Sequence, residues 1–218
     1  MWIHHIPYAA SEGTLRALYD RVKGPADNVD NIMLAHSLRP HTLKAHMALY
    51  KATLHHASNT IDRWFLEALG VYTSLLNGCT YCVDHHFAGM KQQLNEDGRA
   101  AMIRTAFETA NFSSAFSPKE RAAIGYTQLL TREPSSLTED DVMAMRSAGW
   151  PDDQILEINQ VVAYFNYANR TVLGLGVSTV GDVLGLSPNA TDDPEDWHHQ
   201  PVQDQATLQR IQRVRDPR

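Results

Sequence analysis

The sequence is poor in cysteine: it has 218 residues but only two cysteines, Cys79 and Cys82. A disulfide-rich secreted scaffold needs several cysteine pairs spread along the chain, so that class of protein is excluded. Positive charge is also scarce, because 19 Lys and Arg stand against 25 Asp and Glu, giving a formal net charge of −6. The chain therefore lacks the basic surface of a nucleic-acid-binding protein, and we expect no nucleic-acid partner.

Long hydrophobic runs are absent as well. No segment approaches the roughly 20 apolar residues that a membrane-spanning helix needs. The opening MWIHHIPYAASEG has no cationic start followed by an apolar run, unlike a signal peptide. We therefore expect a cytoplasmic protein with no membrane partner. In the reducing cytosol, a close cysteine pair is more often catalytic or metal-binding than a structural disulfide.

The chain does contain strong helical periodicity. Apolar residues recur at spacings of three and four between breaks rich in Pro, Gly, Asn and Ser, and no segment has the pattern of an all-β or βαβ protein. Start signals such as Ser117-Pro118 and Thr138, each with an acidic residue in the first turn, support the pattern. The predicted fold class is all-α, with helices near 12–22, 40–56, 60–77, 79–95, 97–110, 118–131, 138–148 and 152–173.

The composition changes at about residue 187. Beyond it the chain is polar and punctuated by proline, which predicts an all-α domain over 1–186 and a polar tail over 187–218, with a short helix near 204–214. A weak internal repeat is visible inside the domain, because ALGVYTSLL at 68–76 is echoed by AIGYTQLL at 123–130. The two halves would then be related, with thiols in the first alone.

A helical hairpin is predicted around the cysteines. The helix that ends near residue 77 has one broad apolar stripe, and Glu67 lies off it, either exposed to water or placed between helices. Asn77-Gly78 is a turn signal, after which helical spacing resumes. With a rise of about 1.5 Å per residue, Glu67 and His86 lie nearly level across such a hairpin.

The second helix of the hairpin places three side chains on one stripe. Cys79, Cys82 and His86 are spaced i, i+3 and i+7, whereas His85 aligns with Cys82 alone. This favours His86 as the partner of the cysteine pair. A helix N-terminus stabilises thiolate, a histidine one turn after Cys82 can take its proton, and Glu67 can orient that histidine. Cys79 lies at the mouth of the helix, where we expect it to be nearer to water.

Three interpretations of this group remain open on the residues alone. A Cys-x-x-Cys pair is compatible with a redox dithiol, with a structural zinc site, or with two inert buried thiols. Zinc would use Cys79, Cys82 and His86 plus a fourth ligand, and the sequence offers no second cysteine pair to complete the usual site. The spacing therefore favours the redox dithiol.

The spacing Glu-x11-Cys-x2-Cys-x3-His, within NGCTYCVDHH, resembles the signature of the AhpD-like alkylhydroperoxidases in the carboxymuconolactone decarboxylase superfamily. The segments FSPKERA and LTEDDVMAMRSAGWPDDQILEINQVVAYFNYANR look like the larger, peroxidase-related members. The resemblance extends over roughly residues 12–180. It implies an AhpD-like bundle of packed helical hairpins with a degenerate internal repeat, assembled as a dimer, trimer or hexamer.

The resemblance also implies a function and a set of site residues. Cys82 would attack a small-molecule hydroperoxide, Cys79 would resolve the product to a disulfide, and Glu67 with His86 would relay protons. It implies no bound cofactor and no metal, but an external dithiol reductant protein, of the lipoyl type. Tyr81 is a departure, since the best-known members carry histidine there, and it would either donate a hydrogen bond to a peroxide oxygen or only pack.

Two alternatives of other classes accompany this hypothesis. One is a carboxymuconolactone-type decarboxylase, which needs no cysteine pair. The other is a zinc-stapled or redox-sensing protein without peroxidase turnover. Outside the cysteine motif, the polar cluster of Asn166, Asn169 and Arg170 in an otherwise apolar helix is interpreted as closing a helix end or an interface.

Overall fold

The computed structural model describes residues 1–25 and 27–199. Over these residues the chain forms nine α-helices and two short 3-10 turns, Tyr8–Ala10 and Pro134–Ser136, and no strand is present. The fold class is all-α, as predicted. The helices are α1 (Gly13–Val22), α2 (Asn31–Ala35), α3 (Pro40–Leu54), α4 (Arg63–Leu76), α5 (Thr80–Leu94), α6 (Asp97–Thr109), α7 (Pro118–Arg132), α8 (Glu139–Ser147) and α9 (Asp152–Leu175).

The eight helices predicted within the domain are present, with ends that differ by a few residues. The start signals act as expected: the Ser117 side chain accepts a hydrogen bond from the Glu120 amide (3.2 Å), and Glu120 accepts one from the Ser117 amide (2.7 Å). The short helix α2 was not predicted. Five residues are too few to show a period of 3.6, so the sequence carries no signal for it.

Helix α4 lies at the centre of the bundle, between α5, α7 and α9. Ten consecutive residues of α4, from Phe65 to Ser74, are buried. Its approach to α9 depends on Gly70, because a β-carbon at this position would lie 2.1 Å from the Phe165 ring. Phe165 is fully buried and packs edge-on against the His86 ring, with centroids 4.5 Å apart. The core contact therefore continues directly into the region of the cysteine motif.

The described part of the polar segment, residues 187–199, packs across α3. Lys51 is almost fully buried, and its ammonium group donates hydrogen bonds to the carbonyl oxygens of Asn189 (2.6 Å) and Asp196 (2.7 Å). Trp197 is 5% exposed and lies 5.9 Å from the Tyr50 ring, centroid to centroid. The helix predicted near 204–214 lies outside the described residues, and the boundary at 186 stays a prediction.

No helix within residues 1–25 and 27–199 is both long enough and apolar enough to cross a bilayer.

Substitution of Gly70 by alanine should destabilise the fold. The added methyl group must displace Phe165, and overpacking of this kind costs about 1–3 kcal/mol of unfolding free energy. Urea unfolding of Gly70→Ala measures the loss. Gly125 on α7 is the matched control, because a β-carbon there meets no atom within 4 Å. Gly125→Ala should gain up to about 1 kcal/mol from helix propensity, and equal effects of the two changes would contradict this account of the α4–α9 contact.

The exposed apolar residues of α9 support the prediction of a homo-oligomer. Tyr167 and Leu173 are 41% and 42% exposed, and both lie in the stretch VVAYFNYANRTVLGLGV, which we expect near an interface. Light scattering at micromolar concentration should give a multiple of the monomer mass. Leu173→Asp should lower that mass, while Leu156→Asp, at the other end of the same helix, should leave it unchanged. A monomer mass for the unmodified protein would contradict the prediction.

Candidate active site

The α4–α5 hairpin brings Glu67 and His86 together. The chain reverses at Gly78, whose φ of +70° suits glycine, and the Cys79 amide donates a hydrogen bond to the Ser74 carbonyl (2.9 Å). Glu67 Oε2 then lies 2.7 Å from His86 Nδ1, and Glu67 is only 2% exposed. Of the two interpretations of Glu67, the interhelical one is therefore correct.

A second histidine faces the other oxygen of Glu67. His55 Nε2 lies 3.9 Å from Glu67 Oε1, too far for a hydrogen bond. Burial lowers the pKa of His55 well below its usual value, and the positive charge of Arg63 adds to this effect. His55 is therefore neutral, and Glu67 directs its short hydrogen bond to His86. This arrangement fixes His86 with Nδ1 on the carboxylate and Nε2 available for proton transfer.

The two cysteines are free thiols whose sulfur atoms lie 3.1 Å apart. Cys79 is the N-cap of α5 and is 0% exposed, while Cys82 is 2% exposed. The expectation that Cys79 lies nearer to water is therefore wrong. The helix mouth at Cys79 is covered by other parts of the fold, including Ala35, Val172 and Val177, which form a buried cluster with it.

The cysteine pair shares its protons unequally. The contact with the Cys82 thiol, together with the Cys82 backbone amide, lowers the pKa of Cys79 in spite of burial. The same thiol–thiol contact, with burial, raises the pKa of Cys82 well above its usual value. A thiol that donates to its neighbour stabilises the neighbour's thiolate and is itself harder to ionise. The contact therefore favours a single thiolate in the pair, while the other sulfur keeps its proton.

Asn169 on α9 contacts the pair from the opposite helix. Its side chain lies close enough to Cys82 to favour the thiolate, which lowers the pKa of Cys82 and partly opposes the effects of Cys79 and burial. The amide nitrogen also donates to Ser74 Oγ (3.0 Å), and the amide oxygen accepts from Asn77 (2.9 Å). Asn169 thus packs against the C-terminal end of α4, and its contact with Cys82 was not predicted. A buried asparagine in an apolar helix was the one available signal.

A cavity of about 60 Å³ lies beside this pair, with room for a few water molecules or the reactive end of a small ligand. Cys82 and His86 line the cavity, and Cys79 does not. Aromatic and imidazole rings of His46, Tyr50 and Tyr164 form one wall, and Ser187, Pro188 and Trp197 of the polar segment close another. Of the two cysteines, a ligand in the cavity therefore meets Cys82.

Asp182 is a polar residue that the sequence did not reveal, and it contacts two residues of the remaining cavity wall. Tyr81 donates a hydrogen bond to Asp182 Oδ2 (2.8 Å), and the Ile32 amide donates to the Tyr81 oxygen (3.1 Å). His85 Nε2 lies 3.1 Å from the same Asp182 oxygen. The Tyr81 hydroxyl is therefore directed at Asp182, and His85, which the spacing argument set aside, lines the cavity.

The charges of His85 and Asp182 also act on Asp30, which lines the same cavity. Burial raises the pKa of Asp30 to about 6, with the Asp182 charge adding to the shift and His85 opposing it. Burial alone would lower the pKa of His85, but the hydrogen bond with Asp182 and the charge of Asp30 outweigh it and raise that pKa. The imidazolium form of His85 is thus favoured beside two carboxyl groups. Over residues 1–25 and 27–199, no group of three or more Cys, His, Asp or Glu side chains is arranged to hold a metal ion.

No family model matches the sequence. The uncharacterized protein YdfG of Bacillus subtilis (strain 168) is 23% identical over 141 residues, covering 65% of this chain and 91% of that protein. The structure is similar to the alkylhydroperoxidase AhpD core of an uncharacterized peroxidase-related protein from Ralstonia eutropha JMP134. The TM-score is 0.69 at 24% identity, over 80% of this chain and 90% of the other.

A second solved structure, the apo form of the debrominase Bmp8, matches with a TM-score of 0.58 at 18% identity, over 90% of this chain and 91% of the other. At these identities the likeness concerns the fold. The chain has the AhpD-like all-α fold, and the predicted resemblance to the peroxidase-related proteins is confirmed at that level.

The substitution Glu67→Gln should raise the apparent pKa of the cysteine pair by about one unit, because His86 loses the carboxylate partner that orients it as the proton acceptor for Cys82. The rate of thiol alkylation, measured against pH, gives this value. The exposed Glu108 supplies the matched control, and Glu108→Gln should leave the curve in place. An unchanged titration in Glu67→Gln would mean that Glu67 has no electrostatic effect on the thiols.

Proposed function

We propose that this protein is a thiol-dependent hydroperoxide reductase that acts on alkyl hydroperoxides or similar small hydroperoxides. The observation that carries the proposal is the placement of Cys82 and His86 on one cavity, with the sulfur of Cys79 3.1 Å behind that of Cys82. A thiol that faces a ligand, a base held by a buried carboxylate and a second thiol within reach are the groups that peroxide reduction requires.

The reaction proceeds in three balanced steps. The Cys82 thiolate attacks the terminal oxygen of the hydroperoxide, the S–O bond forms, the O–O bond breaks, and the alcohol leaves after protonation. Cys82 is then a sulfenic acid, with which Cys79 condenses to a disulfide as water leaves. An external dithiol protein, of the lipoyl type, transfers two electrons by thiol–disulfide exchange and restores both thiols.

Ionisation and access favour different cysteines for the attack. The pKa of Cys79 is lowered by Cys82, whereas Cys82 alone faces the cavity. At a separation of 3.1 Å a proton can pass between the two sulfur atoms. Asn169 then supports the thiolate on Cys82. Cys79 lies outside the cavity and cannot reach the substrate. We therefore assign the attack to Cys82, which has access to it.

The alternatives gain less support. A carboxymuconolactone-type decarboxylase has no use for the paired thiols that this fold buries at its cavity. A zinc-stapled protein needs further ligands around Cys79 and Cys82, and the described residues supply no such group. The thiol peroxidase hypothesis accounts for both cysteines, for the buried Glu67 and for the cavity.

The different roles of the two cysteines predict different effects of their serine substitutions. Cys82→Ser should abolish even a single turnover. Cys79→Ser should still consume about one equivalent of hydroperoxide and leave a sulfenic acid on Cys82 that a dimedone-type probe traps. Mass spectrometry of the labelled protein locates the adduct.

Two controls accompany this experiment. Thiol counting before and after mild peroxide, with a zinc assay, should show loss of two thiols and no stoichiometric metal. One zinc per chain without thiol loss would overturn the proposed function. A label on Cys79 in the Cys82→Ser protein would instead reverse the two roles.

A further inference from the structure

Two histidine–carboxylate pairs lie on consecutive residues of α5. His86 pairs with Glu67 (2.7 Å) and His85 pairs with Asp182 (3.1 Å), and both histidines line the cavity that contains Cys82. On a helix, residues three and four positions after Cys82 both neighbour its side chain. Because successive residues project about 100° apart, the two imidazoles approach the cavity from different sides.

We propose that His85, oriented by Asp182, is the general acid that protonates the leaving oxygen of the substrate. This inference rests on the proposed function and assigns a second role at the same site. His86 takes the proton of the thiol, and His85 supplies the proton that the departing alkoxide needs. One cavity would then hold a base on one side of the reacting sulfur and an acid on the other.

Each proton that moves in this step has a donor and an acceptor. As the bond from Cys82 to the terminal oxygen forms, the O–O electron pair moves to the inner oxygen, which takes a proton from His85 and leaves as the alcohol. The terminal oxygen keeps its hydrogen in the sulfenic acid. Afterwards His86 releases to solvent the proton it took from Cys82, and neutral His85 takes one up.

The surroundings of Asp182 support an orienting role. The Asp182 side chain is only 3% exposed, and it accepts hydrogen bonds from the Asn31 amide (3.1 and 3.2 Å) and from the Tyr81 hydroxyl (2.8 Å). These contacts fix the carboxylate before any ligand binds. Its bond to Nε2 leaves Nδ1 of His85 for a ligand, and among the described residues Nδ1 makes no hydrogen bond.

Negative charges on three parts of the structure favour the protonated form of His85. Asp182 contacts it directly, Asp30 faces it across the cavity wall, and Asp84 of its own helix adds a further negative charge. Tyr81, whose ring lies 4.6 Å from His85, keeps its proton because burial raises its pKa well above the usual value. The group that faces the substrate therefore carries a proton that it can donate.

The test compares two oxidants that differ in their need for an acid. The leaving group of tert-butyl hydroperoxide is a strongly basic alkoxide, whereas peracetic acid expels acetate, which leaves without a proton. In His85→Asn the rate of thiol oxidation by tert-butyl hydroperoxide should fall about 100-fold. The rate with peracetic acid, measured at the same pH, should stay nearly unchanged. Asp182→Asn should shift the ratio of the two rates in the same direction.

The ratio within one variant does not depend on the fraction of folded protein or on the thiol pKa, so a merely structural role of His85 would not move it. The matched control is His41→Asn, an exposed histidine on α3, which should keep the ratio of the unmodified protein. Equal losses with both oxidants in His85→Asn would overturn the inference while leaving the proposed function intact. An unmodified protein whose thiols react with neither oxidant would overturn the proposed function itself.

Discussion

The buried hydrogen bond between Glu67 and His86 is the contact on which the rest of the site depends. A carboxylate with 2% exposure is costly unless it is paired, and here one histidine across the hairpin provides the partner at 2.7 Å. The pairing requires that α4 and α5 keep one register, which the turn at Gly78 sets. It also requires that α9 close over the hairpin, which the missing side chain of Gly70 allows.

The same closure that protects this pair governs the thiols. Cys79 and Cys82 are withdrawn from bulk water, where a lone thiolate would be unfavourable, but each sulfur has the other as a hydrogen-bond partner. The pair can therefore lose one proton while the second stays between the sulfur atoms. For the proposed peroxidase reaction, burial limits the substrates to those small enough for the cavity, and reduction of the proposed disulfide requires some opening of this region.

The sequence allowed the hairpin to be predicted because both of its helices are long and periodic. Counting residues from the turn at 77–78 was enough to bring Glu67 level with His86. The same counting of residues did not identify the partner of His85. That partner, Asp182, is 97 residues away in an irregular segment that has no period. Helix α2, which holds Asp182 in place, was too short to leave a pattern.

The buried state of Cys79 was beyond sequence reasoning for a related reason. The N-terminus of a helix is exposed by default, and this one is covered by a cluster that includes Ala35, Val172 of α9 and Val177 after that helix. The contact of Asn169 with Cys82 likewise depends on how α9 crosses α4, which periodicity alone does not fix. Local sequence signals predicted the helices and the contacts between residues that are close in sequence. The cavity wall that includes Tyr81 and His85 depends instead on contacts between residues that are distant in sequence.

Unsatisfied polar atoms mark the same region. Within the described residues, Asp30 Oδ1, His46 Nδ1 and both ring nitrogens of His55 are buried without a hydrogen-bond partner, and all four lie at the cavity or beside Glu67. Each such atom costs about 1–3 kcal/mol of stability. A fold selected for stability alone would replace these side chains with apolar ones. Asp30 and His46 line the cavity that contains Cys82, so these two unsatisfied groups lie where the proposed reaction takes place, and local costs of this kind are typical of functional sites.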